Sequence, residues 1–236
     1  MRDSMYAFFN YIFLIGSGLC HQIPARSLFF NNVQLPLCAR CTGIYVGFIV
    51  AFLALAFTYR VDNRRGGLSR FFYPIGAVLI LPMIYDGFSS YLGFRATTNG
   101  LRLATGAAFG VALAPIIYAL IADALMAKGE ETKVLGDVSG RVLYLCAVPL
   151  AVVVVNIFGN ISILASYVLV ALSVLSIFTL TALAVIATLP PFYRSVSDVR
   201  TALMPCAIAL VLGIAILFGT WQLQTEIHRL IGYSSV

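Results

Sequence analysis

Apolar runs long enough to cross a lipid bilayer recur along nearly the whole chain, and no other feature limits its fold as strongly. Hydropathy and breaker residues mark seven of them, over residues 5–19, 42–59, 71–92, 101–126, 142–159, 161–188 and 202–224. A hydrocarbon core about 30 Å thick takes about 20 such residues as a helix. Backbone groups in lipid have no water to bond, and a helix satisfies them within the run itself. Composition agrees: 61% of the 236 residues are hydrophobic, 10% are charged and the mean hydropathy is +0.98, far from the balance of a soluble domain. The expected fold is therefore all-α, a polytopic transmembrane bundle of about seven helices, with no length left for a separate water-soluble catalytic domain. It divides into a four-helix membrane module over residues 1–126 and a three-helix membrane scaffold over 127–236, which is apolar and nearly featureless from residue 142 onward. Cys146 and Cys206, deep in these later spans, read as small buried hydrophobes without chemistry.

The net charge of +6 could suggest nucleic acid. A phosphate-binding groove, however, needs clustered Lys and Arg on a solvated face, and here the basic residues fall at the ends of apolar runs. They read as orientation charges, and nucleic acid is not an expected partner. The short loop Arg60-Val-Asp-Asn-Arg-Arg-Gly-Gly-Leu-Ser-Arg70 is of the kind held in the cytoplasm. Alternation from it leaves ten of the fifteen Lys and Arg inside, the N-terminus cytoplasmic, and the loop between the first two helices on the extracytoplasmic face. The first run is short and contains Asn10, so a tilted or half-embedded helix is expected there. It has no small-x-small cleavage site and reads as a retained helix rather than a signal peptide.

Two runs carry small residues at four-residue spacing: Gly43, Gly47 and Ala51, and Gly106, Gly110 and Ala114. Such stripes let helix backbones approach closely. Contact between the second and fourth helices is expected.

The chemistry-bearing residues concentrate between the first two helices. Leu28 to Phe30 and Val33 to Leu35 are short strand-like runs, and Asn31-Asn32 between them tolerates the positive φ of a tight two-residue turn. The expected hairpin brings Cys20 and His21 beside Cys38 and Cys41. Cys38-Ala-Arg-Cys41 followed by Thr42-Gly43 has the form of a metal knuckle, in which a tight turn aims two sulfurs at one point and backbone N–H groups approach the thiolates. Cys20, His21, Cys38 and Cys41 are the candidate ligands for zinc or another transition metal. Adjacent residues rarely ligate one ion without distortion, so either Cys20 or His21 could instead support the site or act as a base. A disulfide among the cysteines, with no metal, is the competing reading.

The string Cys20-His21-Gln22-x-Pro24-x-Arg26-Ser27, then Gln34-x-Pro36-Leu37-Cys38-Ala39-Arg40-Cys41-Thr42-Gly43-Ile44-Tyr45-x-Gly47, resembles the family of predicted prokaryotic membrane proteins named domain of unknown function two-zero-eight-five. Asp86-Gly87 and Thr98-Asn99-x-x-Arg102-x-x-Thr105-Gly106 extend the resemblance, which covers about residues 18–115. It implies a prokaryotic plasma membrane location and a shared site, and it brings no reaction with it. The last three helices lie outside it.

A second polar cluster is expected below the hairpin. Asp86 lies about two turns inside the third span, where an ionised carboxylate needs a partner, and Arg102 in the first turns of the fourth helix is the expected one. Arg26, Arg40, Arg95 and Arg102 on the same membrane face, with Asn99 and Thr105, would suit an anionic lipid or other amphiphile. Three classes of function follow. The first is a metal-dependent membrane enzyme with Asp86 or His21 as base and Arg102 holding substrate. The second is a thiol-disulfide oxidoreductase using Cys38 and Cys41 with Cys20. The third is a non-catalytic transporter or assembly factor stapled by the hairpin.

Overall fold

The computed structural model describes residues 2–59, 67–127 and 133–231, the side chains of residues 2–6, 228 and 231 excepted. Among the described residues there are seven α-helices: α1 Arg2–Ser17, α2 Ala39–Tyr59, α3 Phe72–Tyr91, α4 Asn99–Leu125, α5 Val138–Ile161, α6 Ile163–Ala187 and α7 Val199–Ile231. Six of them, α2 to α7, are long and apolar enough to cross a membrane, and α1 contributes only a shorter apolar stretch, Ala7–Ser17. The chain is a multi-pass membrane protein. Its outward faces carry large apolar side chains such as Phe57, Phe88, Leu172 and Val211, as a surface bathed in lipid must. The basic segment 60–66, on which the orientation reading chiefly rests, lies outside the described residues.

The strands β1, Ser27–Phe30, and β2, Val33–Cys38, form the hairpin, paired antiparallel with Phe30 opposite Val33 and Phe29 opposite Gln34. Asn31 and Asn32 turn the chain at φ of 50° and 61°, the left-handed conformation that Asn accepts more readily than most residues. Beyond Phe29 the register shifts, so that Ser27 faces Cys38. Pro36, which has no N–H to give a ladder, lies in this irregular stretch. The hairpin is packed onto the bundle: Leu35 and Leu37 are buried, the Tyr167 hydroxyl on α6 donates to the Gln34 carbonyl at 2.7 Å, and Phe30 lies against Gly159 of α5.

Helices α2 and α4 form the centre and run in the same direction, with both N-termini at the hairpin end. Their expected contact is present and depends on glycine. A Cβ at Gly106 would collide with the Arg40 carbonyl oxygen, and one at Gly110 with that of Ile44. Gly43 likewise faces the backbone of Leu103 to Ala107. Backbone atoms cannot give way, so only the bare Cα permits this approach. The main core extends from this pair through Phe48, Leu55, Val111 and Tyr118 to Tyr144 on α5 and Leu183 on α6. Cys146 and Cys206 depart from expectation: both are exposed on outward faces of α5 and α7, because lipid solvates a thiol-bearing apolar face as well as a core does.

Candidate functional site

The hairpin delivers Cys38 to the N-terminus of α2, and Cys41 follows one turn later on the same helix. The last turn of α1 passes into Cys20, whose N–H bonds the Gly16 carbonyl at 3.0 Å. The three sulfurs converge, all lying within 4.8 Å of one another, with Cys20 buried and the other two half-buried. Backbone donors approach two of them. The Cys38 N–H approaches the Cys20 sulfur at 3.3 Å, and the N–H groups of Cys41 and Arg40 point to the Cys38 sulfur.

Together with thiol hydrogen bonds from Cys20 and Cys41, these donors hold the Cys38 thiol far below its ordinary range. The hydrogen bond it gives Cys38, reinforced by burial, keeps the Cys20 thiol above its ordinary range. All five cysteines are free thiols. Leu37, Val170 and Val174 wall the cluster, with Tyr45 and Leu217 beside them. His21, expected as a fourth ligand or a base, is exposed and stands outside the sulfur cluster. It lines a cleft of about 350 Å³ with Cys20, Thr220 and Gln224.

Two glutamines that sequence reasoning passed over hold this arrangement. The Gln22 amide donates to the carbonyls of Phe13 at 2.6 Å and Pro36 at 2.8 Å, tying α1 to β2. The Gln34 amide donates to the Gln22 carbonyl at 2.7 Å and the Ser27 hydroxyl at 3.0 Å. Both belong to the Cys-His-Gln and Gln-x-Pro-Leu-Cys strings. Their side chains were legible there as hydrogen-bonding groups, but their partners are backbone carbonyls that no residue pattern reveals.

The polar cluster also exists, with a different pairing. The ion partner of Asp86 is Arg40, not Arg102. Asp86 is 4% exposed, and Arg40, between the two knuckle cysteines, reaches it across the α2–α3 boundary. The expectation took chain neighbours as partners, whereas the glycine-mediated approach of α2 to α4 brings Arg40 over the same ground. Arg102, also buried, donates to Asn99 Oδ1 at 3.1 Å and to the Ser90 hydroxyl at 3.3 Å. Asn99 in turn donates to the Ser27 carbonyl at 2.9 Å, joining α4 to the hairpin. Arg40 stands between Cys38 and Cys41 in the chain and pairs with Asp86, so the thiol and arginine clusters are neighbours. Arg26 is half-buried, Arg95 is exposed, and the Thr105 hydroxyl bonds the Leu101 carbonyl of its own helix at 2.9 Å.

Comparison with known proteins finds its matches in this region. A family model described as "Predicted membrane protein (DUF2085)" matches residues 20–116, which contain both clusters. An uncharacterized protein of Methanothermobacter thermautotrophicus is 34% identical over 102 residues, 43% of this chain and 86% of the relative. An uncharacterized protein of Methanocaldococcus jannaschii is 33% identical over 114 residues, 47% of this chain and 70% of the relative. No solved structure matches the chain.

Proposed function

The chain belongs to the DUF2085 family of predicted membrane proteins, and on that premise we propose that Cys20, Cys38 and Cys41 hold a transition-metal ion, zinc by ligand preference, in a membrane enzyme acting on an amphiphile. The observation that carries this reading is the approach of three sulfurs to within 4.8 Å of one another. Around a tetrahedral zinc with Zn–S near 2.3 Å, thiolates stand about 3.8 Å apart, so modest inward movement would complete the set. The N–H groups directed at Cys38 stabilise its thiolate, the form a metal binds. Three protein ligands leave a fourth position for His21, water or a substrate group, the arrangement associated with catalytic zinc. When bound there, the ion would polarise a substrate oxygen or acidify a bound water. His21, exposed beside the cluster, serves as base in preference to Asp86, whose carboxylate is engaged by Arg40.

A thiol-disulfide oxidoreductase is the second reading, favoured by the position of Cys38 at a helix N-terminus with donors on its sulfur. The Cys38 thiolate would attack a partner disulfide and release one partner thiol, and Cys41 or Cys20 would resolve the mixed disulfide. Metal analysis of the purified protein with quantitative thiol labelling under denaturing conditions separates the two readings. The metal reading expects a stoichiometric ion with reduced cysteines, and loss of the ion in Cys38→Ser. Absence of an ion with the cysteines oxidised overturns it in favour of the second.

A further inference from the structure

Charge does not balance in the corner beside the thiols. Arg26 and Arg40 act on Arg102 with like charge, and Asp86 and Cys38 act on it with opposite charge. Three guanidiniums against the Asp86 carboxylate and the Cys38 sulfur leave positive charge in excess, and with Arg102 only 8% exposed that excess is costly unless something anionic joins it.

The hydrogen-bond inventory points the same way. Among the described residues, five buried side-chain polar atoms have no partner, and three of them belong to this end of the bundle: Arg40 Nε, Arg102 Nε and Thr97 Oγ. All three can donate. Arg40 is the second residue of α2 and Arg102 the fourth of α4, so the positive ends of two helix dipoles meet here as well. Both arginines sit in the first turn of a helix long and apolar enough to span a membrane, and the ends of such helices meet the headgroup region.

From these observations we infer that the corner bounded by the starts of α2 and α4 and the end of α3 binds a phosphate group, with Arg40, Arg102 and Thr97 donating to its oxygens and Arg26 adding charge. Donors supplied by two helix starts and a loop at the same end of the bundle suit a tetrahedral oxoanion better than a planar carboxylate. Asp86 holds Arg40 in place and is not displaced. The inference rests on reading this corner as the ligand site of the amphiphile proposed above, and it names the charged part of that ligand.

The test uses the full chain purified in neutral maltoside detergent. One arm compares sodium phosphate with sodium chloride at matched ionic strength, and the other compares phosphatidylglycerol with diacylglycerol of the same acyl chains. Thermal unfolding followed by Trp221 fluorescence and native mass spectrometry are the readouts. A raised Tm and a retained adduct are expected in at least one arm, the lipid arm alone identifying a headgroup and the phosphate arm a free anion. Arg102→Gln should weaken binding about tenfold or more. Should that variant fail to fold, the double variant Arg40→Gln with Asp86→Asn, which removes the ion pair as a unit, should show the same loss. No response in either arm overturns the inference, as does a response of full size in both variants. Metal content is measured on the same preparation. A phosphate response without metal overturns the zinc reading alone, and metal without a phosphate response overturns this inference alone.

Discussion

The two ends of this bundle use similar polar residues to opposite effect. At the end away from the hairpin, the Tyr59 hydroxyl donates to Asp137 at 2.6 Å and accepts the Leu135 N–H at 2.9 Å. Asp137 caps α5 through the Gly140 N–H at 2.8 Å, and the Leu135 carbonyl receives the Ser69 hydroxyl and the Arg141 Nε. Arg141 also lies 4.8 Å from the centre of the Phe71 ring. Burial acts against the charge of Asp137, but hydrogen bonds from Ser139, Tyr59 and Gly140 outweigh it and hold the carboxyl below its ordinary range. Each of these bonds is made between groups of the chain itself. At the hairpin end, arginines outnumber the carboxylate and two guanidiniums carry an unpartnered Nε. A closed network staples loops. One left short of acceptors is arranged for something the chain does not itself supply.

The strongest challenge to this contrast is Asp86→Ala. It strands Arg40 with no counter-charge and should cost about 3–5 kcal/mol in unfolding experiments in detergent. If the corner binds phosphate, added phosphate should recover part of that loss by pairing with the freed guanidinium. Gly110→Ala comes next. Its methyl group meets the Ile44 carbonyl, and separating α2 from α4 should cost about 1–3 kcal/mol. Because this contact positions Arg40, the variant should also weaken the phosphate response, which a merely looser bundle with an intact corner would retain. Tyr59→Phe should have the smallest effect, about 1–2 kcal/mol, from leaving the buried Leu135 N–H without its acceptor. Its loss should be indifferent to phosphate and to metal. An equal phosphate rescue of Tyr59→Phe and Asp86→Ala would erase the distinction between the two ends.

Much of the architecture was legible in the residue string because each signal was local or periodic. Run length and hydropathy located the first six helices to within four residues, while α7 runs on to Ile231 beyond its expected end at 224, and Asn31-Asn32 located the turn. The glycine stripes identified the α2–α4 contact, since only small residues at one-turn spacing let two backbones meet. The site was legible in part. The knuckle brought Cys38 and Cys41 together through local geometry, and the hairpin brought Cys20 to them. Asp86 required a partner, but helix rotation and the closeness of α2 to α4 chose Arg40, and no spacing along the chain encodes either. Cys146 and Cys206 were misplaced for a related reason. A helix destined for lipid is apolar all round, so its sequence does not say which face is packed.

The residues by themselves determined that this chain lives in a membrane as helices, that a tight hairpin interrupts them, and that thiols and arginines gather near it, because bilayer thickness, turn sterics and spacing act over short stretches. Only the tertiary structure decided that three thiols meet without His21, that Arg40 takes Asp86, and that Arg40 and Arg102 are left with donors to spare. Those outcomes depend on how helices distant in sequence rotate and approach, and the packing of the whole bundle sets both.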